Sequence, residues 1–131
     1  MDDLYFCPKC TAFGKTEIKK KTETLKVIDK DITLDVDVRY CATCGGEVSD
    51  TKLDNETLQL FYREYRKAEN LLQPEEIKQI RENNHLSIAA FAEFLGVTEK
   101  EVIRFERGAI QERYFDDLIR RLDRGVISVY P

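Results

Sequence analysis

Four cysteines stand in two Cys-x-x-Cys pairs, Cys7/Cys10 and Cys41/Cys44, with 30 residues between Cys10 and Cys41. Each pair sets two thiolates on one side of a tight knuckle, and two knuckles close a cage of the tetrahedral kind that zinc prefers. The spacing suits a β-hairpin that leaves the first knuckle and returns to the second, which is a zinc-ribbon arrangement. Pro8 inside the first knuckle and Gly45-Gly46 after the second fit it, since glycine lets backbone amides turn toward sulfur. A unit of this size is too small to hold itself by core alone, and zinc would add folding free energy on the order of 10 kcal/mol. Four protein ligands leave no open coordination position, so the sequence predicts one structural Zn2+ per chain on Cys7, Cys10, Cys41 and Cys44. Redox dithiols, disulfides and an iron centre are the other readings of such pairs, although a thioredoxin-like βαβ context is missing. The single histidine, His85, reads as a surface residue ending a helix and receives no role.

The chain has 131 residues, enough for one ordinary domain or two very small ones, which excludes a large multidomain enzyme. Twenty-one basic against 25 acidic residues give a net charge of -4, so no overall cationic field draws it to DNA or anionic lipid. Any nucleic-acid site is a local patch. No apolar run approaches the roughly 20 residues that span a bilayer, and Met1-Asp2-Asp3 is acidic where a signal peptide starts basic. The expectation is a soluble, cytoplasmic, non-enzymatic protein without a membrane partner.

Ile32, Leu34, Val36, Val38 and Tyr40 alternate with Thr33, Asp35, Asp37 and Arg39, as in a half-buried strand. Leu25 and Val27 belong to a preceding strand, and Asp29-Lys30-Asp31 reads as the turn. From Asp54, a candidate N-cap, the period becomes helical through Leu58, Phe61, Tyr62 and Tyr65 to about Glu69. Pro74 opens a helix over 75–84, Ser87 caps one over 88–95, and Thr98 caps one over 99–107 after the glycine turn at Gly96. A last helix over 112–124 carries Tyr114, Phe115, Leu118, Ile119 and Leu122, and the β-prone tail 126–131 follows. The predicted fold class is α+β: a four-cysteine zinc-ribbon domain over 1–53, a linker helix over 54–70 and an all-α helix-turn-helix domain over 71–131.

Reading a duplex needs a short helix held at a fixed angle, with its first turns in the major groove. Phe91, Ala92, Leu95, Gly96 and Val97 form the brace, and Val102 and Phe105 anchor the second helix. Glu99, Lys100, Glu101, Ile103, Arg104 and Arg107 then point outward. Arg104 suits a bidentate contact to guanine, and Lys100, one turn earlier, reaches a guanine acceptor or a phosphate. Arg107, Lys78 and Arg81 are candidate phosphate contacts, with Ser87 beside them. Glu99 and Glu101 flank the bases, where a carboxylate repels phosphate but accepts from a cytosine amino group. Spacing alone leaves a plain helical bundle open.

Leu86-Ser87-Ile88-Ala89-Ala90-Phe91-Ala92-Glu93-Phe94-Leu95-Gly96-Val97-Thr98 with Val102-Ile103-Arg104-Phe105-Glu106-Arg107-Gly108 resembles an Xre/Cro-type helix-turn-helix. With Cys7-Pro8-Lys9-Cys10 and Tyr40-Cys41-Ala42-Thr43-Cys44-Gly45-Gly46-Glu47 in front, residues 5–124 are similar to an MqsA-type (YgiT-type) antitoxin. The resemblance implies a structural zinc domain that neutralises a cognate toxin, often an mRNA interferase, and a helix-turn-helix domain that dimerises and represses its own operon. It places the family's base-reading asparagine and arginine on Lys100 and Arg104, of which the arginine alone is matched. A glutamine common at the start of the second helix is Ile88 here. The expectation is a homodimeric repressor on a palindromic operator, with the last helix and the tail as dimer surface. Two alternatives stay open: a zinc-ribbon regulator of a mobile element, and a protein-interaction module without a toxin partner.

Overall fold

The computed structural model describes residues 4–125, and over them the chain is α+β, with two small antiparallel sheets followed by five helices. Strands β1 (Tyr5–Cys7) and β2 (Ala12–Gly14) pair around the first knuckle, and β3 (Thr16–Val27) and β4 (Lys30–Cys41) form a longer hairpin. The helices are α1 (Thr51–Glu69), α2 (Pro74–Asn83), α3 (Ile88–Leu95), α4 (Glu99–Arg107) and α5 (Arg113–Asp123). Two compact units divide the chain between Phe61 and Tyr62, so α1 belongs in part to each. No described helix is long and apolar enough to cross a membrane.

In the first unit the alternation along β4 separates the faces as expected. Val36 is buried, and Ile32, Leu34, Val38 and Tyr40 are half-buried, whereas Thr33 and Asp35 lie exposed. The exposed face is laced across the ladder by Thr22 Oγ1 to Asp35 at 2.5 Å, Thr24 to Thr33 at 2.7 Å and Lys20 to Asp37 at 2.8 Å. Cross-strand pairs of this kind contribute about 0.2–1 kcal/mol each, so they fix register more than stability. That register pairs Val27 with Lys30, which moves the turn from Asp29-Lys30-Asp31 to Ile28-Asp29. Ile28 adopts φ 56, a conformation disfavoured for a β-branched residue, because the two-residue turn between Val27 and Lys30 requires it.

Helix α1 starts at Thr51, three residues before the predicted Asp54. Asp50 does the capping: its Oδ1 accepts from the Leu53 amide at 3.1 Å and its carbonyl from the Asp54 amide at 2.8 Å. Asp54 lies in the first turn, where a negative charge suits the helix dipole.

The second unit follows its punctuation closely. Pro74 occupies the first turn of α2, while the Gln73 amide donates to Glu76 Oε1 at 3.0 Å. Ser87 Oγ accepts from the Ala90 amide at 3.0 Å, and Thr98 Oγ1 from the Glu101 amide at 3.3 Å. Gly96 turns the chain at φ 76, which an L side chain resists. One core joins Leu72, Ile77, Ile80, Leu86, Phe91, Ala92, Leu95, Val102, Phe105, Ile119 and Leu122. Full burial of a side chain such as Ile77 or Phe91 contributes about 1.5–3 kcal/mol, so this cluster holds the helices at fixed angles. The predicted β-prone tail, 126–131, lies outside the described residues.

Candidate functional site

Two regions carry the chemistry. In the first unit, Cys7 ends β1 and Cys41 ends β4, so each hairpin delivers one thiol at its end, and the knuckle turns supply Cys10 and Cys44. Cys7 Sγ lies 3.5 Å from Cys44 Sγ, Cys10 Sγ lies 3.9 Å from Cys41 Sγ, and all four sulfurs fall within 4.8 Å of one another. A tetrahedral ion about 2.3 Å from each thiolate needs sulfur–sulfur edges of about 3.8 Å, which these contacts bracket. All four cysteines are free thiols.

Backbone geometry holds the knuckles in place. The Cys41 amide donates to Gly46 O at 2.8 Å, and the Gly45 amide donates to Cys41 O at 2.9 Å with Gly45 at φ 76. A Cβ on Gly46 would meet Lys9 Cδ at 3.0 Å and Cys44 Sγ at 3.5 Å, so the Lys9 stem packs against the second knuckle. Amide donors from Cys44 and then Thr43 pull the Cys41 thiol down to about 6. Hydrogen bonding to Cys44 pushes Cys10 up to about 12. Sulfurs this close resist ionising together unless a cation sits among them, and a divalent metal supplies that charge.

Arg39, expected on the outward face of β4, instead clamps the base of the ribbon. Its Nε donates to Asp50 Oδ2 at 2.9 Å, its Nη1 to Thr16 Oγ1 at 2.6 Å, and its guanidinium stacks 4.0 Å above the Tyr5 ring. The helix cap, the hairpin end and β1 therefore meet at one cation close to the thiols.

In the second unit, α3 and α4 with the Gly96 turn form a braced helix pair. Val102 and Phe105 face the core, while Glu99, Lys100, Arg104 and Arg107 lie exposed and Glu101 and Ile103 half-exposed. Arg104 leaves 65% of its side chain in solvent and touches Glu101 Oε1 at 3.3 Å. Lys78 is exposed, 3.9 Å from Glu82, and the Ser87 hydroxyl is engaged as a cap. Arg81, predicted among the phosphate contacts, is engaged within the fold. Its Nε and Nη2 grip both carboxylate oxygens of Glu106 at 2.8 and 3.1 Å, and its Nη1 donates to Leu86 O at 3.0 Å. With side chains only 12% and 10% exposed, the pair is a structural brace that uses three of the five guanidinium donors.

Four buried polar residues, Arg66, Gln73, Gln111 and Asp116, were not foreseen. Arg66 is 1% exposed and donates Nη2 to the Gly108 carbonyl and Nη1 to Gln73 Oε1 at 3.5 Å, and burial pushes its pKa down. Asp116 is fully buried, accepting from the Leu72 amide at 2.8 Å, Gln111 Nε2 at 3.1 Å and Arg120 Nε at 2.8 Å. Gln111 also donates to Leu72 O at 2.9 Å. A signal existed for two of them: Arg66 continues the Leu58/Tyr62 spacing, and Asp116 precedes Ile119 and Leu122 by three and six residues on one face.

The model of one protein family, the antitoxin component MqsA of bacterial toxin-antitoxin systems, matches residues 7–125. No curated protein matches the chain.

Proposed function

The chain belongs to the MqsA antitoxin family, and from that premise we propose that it is a cytoplasmic, homodimeric transcriptional repressor and the antitoxin of a type II toxin-antitoxin pair. Its first domain, over 1–53, holds one structural zinc on Cys7, Cys10, Cys41 and Cys44 and neutralises a cognate toxin. The ion ties the two knuckles together and supplies no reaction, because its four positions are all taken by protein. The helix over 54–70 links this domain to a helix-turn-helix domain over 71–131 that pairs with a second copy on a palindromic operator.

The observation that carries the DNA-reading proposal is the solvent-facing Arg104 on a short helix whose opposite side is locked into the core. Arg104 reads a guanine edge, Lys100 takes a guanine acceptor or phosphate, Glu99 and Glu101 flank the bases, and Arg107, Lys78 and Ser87 meet the backbone. Arg81 stays a candidate backbone contact beside its pairing with Glu106. Fluorescence anisotropy against the chain's own upstream DNA at two salt concentrations tests the reading. Arg104→Ala is expected to cost about 1–3 kcal/mol of specific binding, and binding is expected to weaken as salt rises. Unchanged affinity in the variant removes α4 as the reading helix.

One observation favours a second reading. Glu101 holds the Arg104 guanidinium, and Glu99 stands beside it, so α4 presents carboxylates in its first turn. On that reading the unit is a protein-interaction module, and a folded, zinc-loaded dimer fails to shift DNA at low salt.

A further inference from the structure

Beyond the thiol cluster and α4, a group of arginines lies along α5 and its C-cap residue Arg124. Arg113, Asp117, Arg120, Arg121 and Arg124 recur at spacings of four, three, one and three, which places them on one side of the helix. With Asn70 they line a cleft of about 330 Å3. Two of its guanidiniums are held in position. Arg113 Nη2 donates to Glu69 O at 2.6 Å and lies 3.5 Å from Glu69 Oε2, while Arg120 bonds Asp116 through Nε at 2.8 Å and Asn70 O through Nη2 at 2.8 Å. Arg121 and Arg124 are exposed and have no ionic partner among the described residues. Asp117 is the one carboxylate in the lining.

We propose that this cleft is a binding site for a phosphate group. The chemistry follows from the type of cation. Arginine presents a planar fork that meets two phosphate oxygens at once, and several forks converging on one cleft wrap a tetrahedral anion where lysines would act as separate point charges. Every basic residue after Lys100 is an arginine. Arg113 and Arg120 are held by the carbonyls of Glu69 and Asn70 and paired with the Glu69 and Asp116 carboxylates, so the frame is preorganised while Arg121 and Arg124 supply the charge and remain free to close on the anion. Arg121 and Arg124, one turn apart and without an ionic partner among the described residues, repel each other, and a bound phosphate relieves that repulsion. The phosphate is either a free ion or a small phosphorylated molecule, or the phosphodiester of a nucleic acid, and the same forks serve both.

The test uses the full-length, zinc-loaded chain, with inorganic phosphate replacing chloride at constant ionic strength and the arginine Nε–H resonances of α5 followed by NMR. Saturable shifts are expected in the wild type, weakened about tenfold or more in Arg121→Ala/Arg124→Ala, as loss of two charged hydrogen-bonding groups requires. Because both side chains are exposed, the double variant is expected to melt as the wild type does. A second arm measures the salt dependence of binding to a non-operator duplex. If the source is a phosphodiester, the double substitution lowers the slope by about 2. If the source is a free phosphate, the slope is unchanged while the phosphate shifts are lost. Arg104→Ala is the control for the operator reading and is expected to leave the phosphate response intact. Shifts that never saturate, or that saturate equally in the double variant with an unaltered duplex slope, overturn the proposal.

Discussion

Replacing Arg81 by alanine separates a brace from a phosphate contact. The substitution removes three hydrogen bonds, two of them to the Glu106 carboxylate, and leaves that carboxylate 10% exposed with its charge unpaired. Breaking a buried pair in this way costs about 3–5 kcal/mol, and the residual exposure of both partners lets in water, so about 3 kcal/mol is the working figure. At about 4–8 °C per kcal/mol for a unit of this size, thermal unfolding of the helices falls by roughly 12–24 °C. Far-UV circular dichroism of the zinc-loaded chain follows it. Replacing both partners, Arg81→Met with Glu106→Leu, is expected to recover most of the loss because no buried charge is left alone. A phosphate ligand behaves in the opposite manner: its loss leaves melting unchanged and lowers the salt slope of DNA binding by about 1. Arg81→Ala melting within about 3 °C of the wild type would refute the brace, since that shift corresponds to less than about 1 kcal/mol.

Cys41→Ser is expected to abolish stoichiometric metal binding and unfold the ribbon while the helical signal of the second unit persists; unchanged metal content by elemental analysis would sink the four-thiolate site. Asp116→Ala leaves the Leu72 amide and Arg120 Nε without their acceptor, with an expected loss of about 3 kcal/mol in urea unfolding. A loss below about 0.5 kcal/mol would place it among ordinary surface changes. The Leu53 amide, with help from Arg39, holds the Asp50 carboxyl below its ordinary value of 3.8. Its contribution is therefore present above that value and fades as pH falls through the lower folded one. Asp50→Asn keeps the cap and removes the titration, so the ribbon's acid-unfolding limb is expected to be shallower in the variant; identical limbs would rule Asp50 out.

The legible parts of this molecule are those written in local signals. Ser87, Thr98, Gly96 and Pro74 mark helix ends through their own backbone chemistry, and α2 to α5 accordingly lie within a residue of their expected bounds. The cysteine spacing similarly located all four thiols of the cluster. What escaped depends on residues far apart in the chain. Asp50 became the cap of α1 in place of Asp54 with Arg39, eleven residues earlier, attached to it. The pairing of Arg81 with Glu106 spans 25 residues, and that of Asp116 with the Leu72 amide 44. A charged residue on an amphipathic face reads as solvated until a partner is brought to it, so its sequence signal is ambiguous by nature. The hairpin turn slipped for a related reason: the polar Asp29-Lys30-Asp31 has better local turn chemistry, but the ladder decides register over its whole length.

Buried Arg66 and partly buried Arg81 act on the same end of the same helix. Arg66 donates to the carbonyl of Gly108, which closes α4, and Arg81 grips Glu106 in its last turn. Carbonyls at a helix C-terminus carry partial negative charge without intrahelical partners, so a guanidinium there satisfies an acceptor and opposes the dipole at once. The first turn of α4 is secured by the Thr98 cap and by Val102, fully buried in the core, and keeps Glu99 and Lys100 in solvent. Val102 and Phe105 fix the inner face of α4 and the two guanidiniums add anchoring at its C-terminal turn, while Glu99, Lys100 and Arg104 stay in solvent, the exposure required of a helix that enters a groove. Loosening the anchored end, through Arg66→Met or Arg81→Ala, is therefore expected to blur discrimination between operator and random DNA before it abolishes binding, because non-specific phosphate contacts tolerate a tilt that base-edge hydrogen bonds do not.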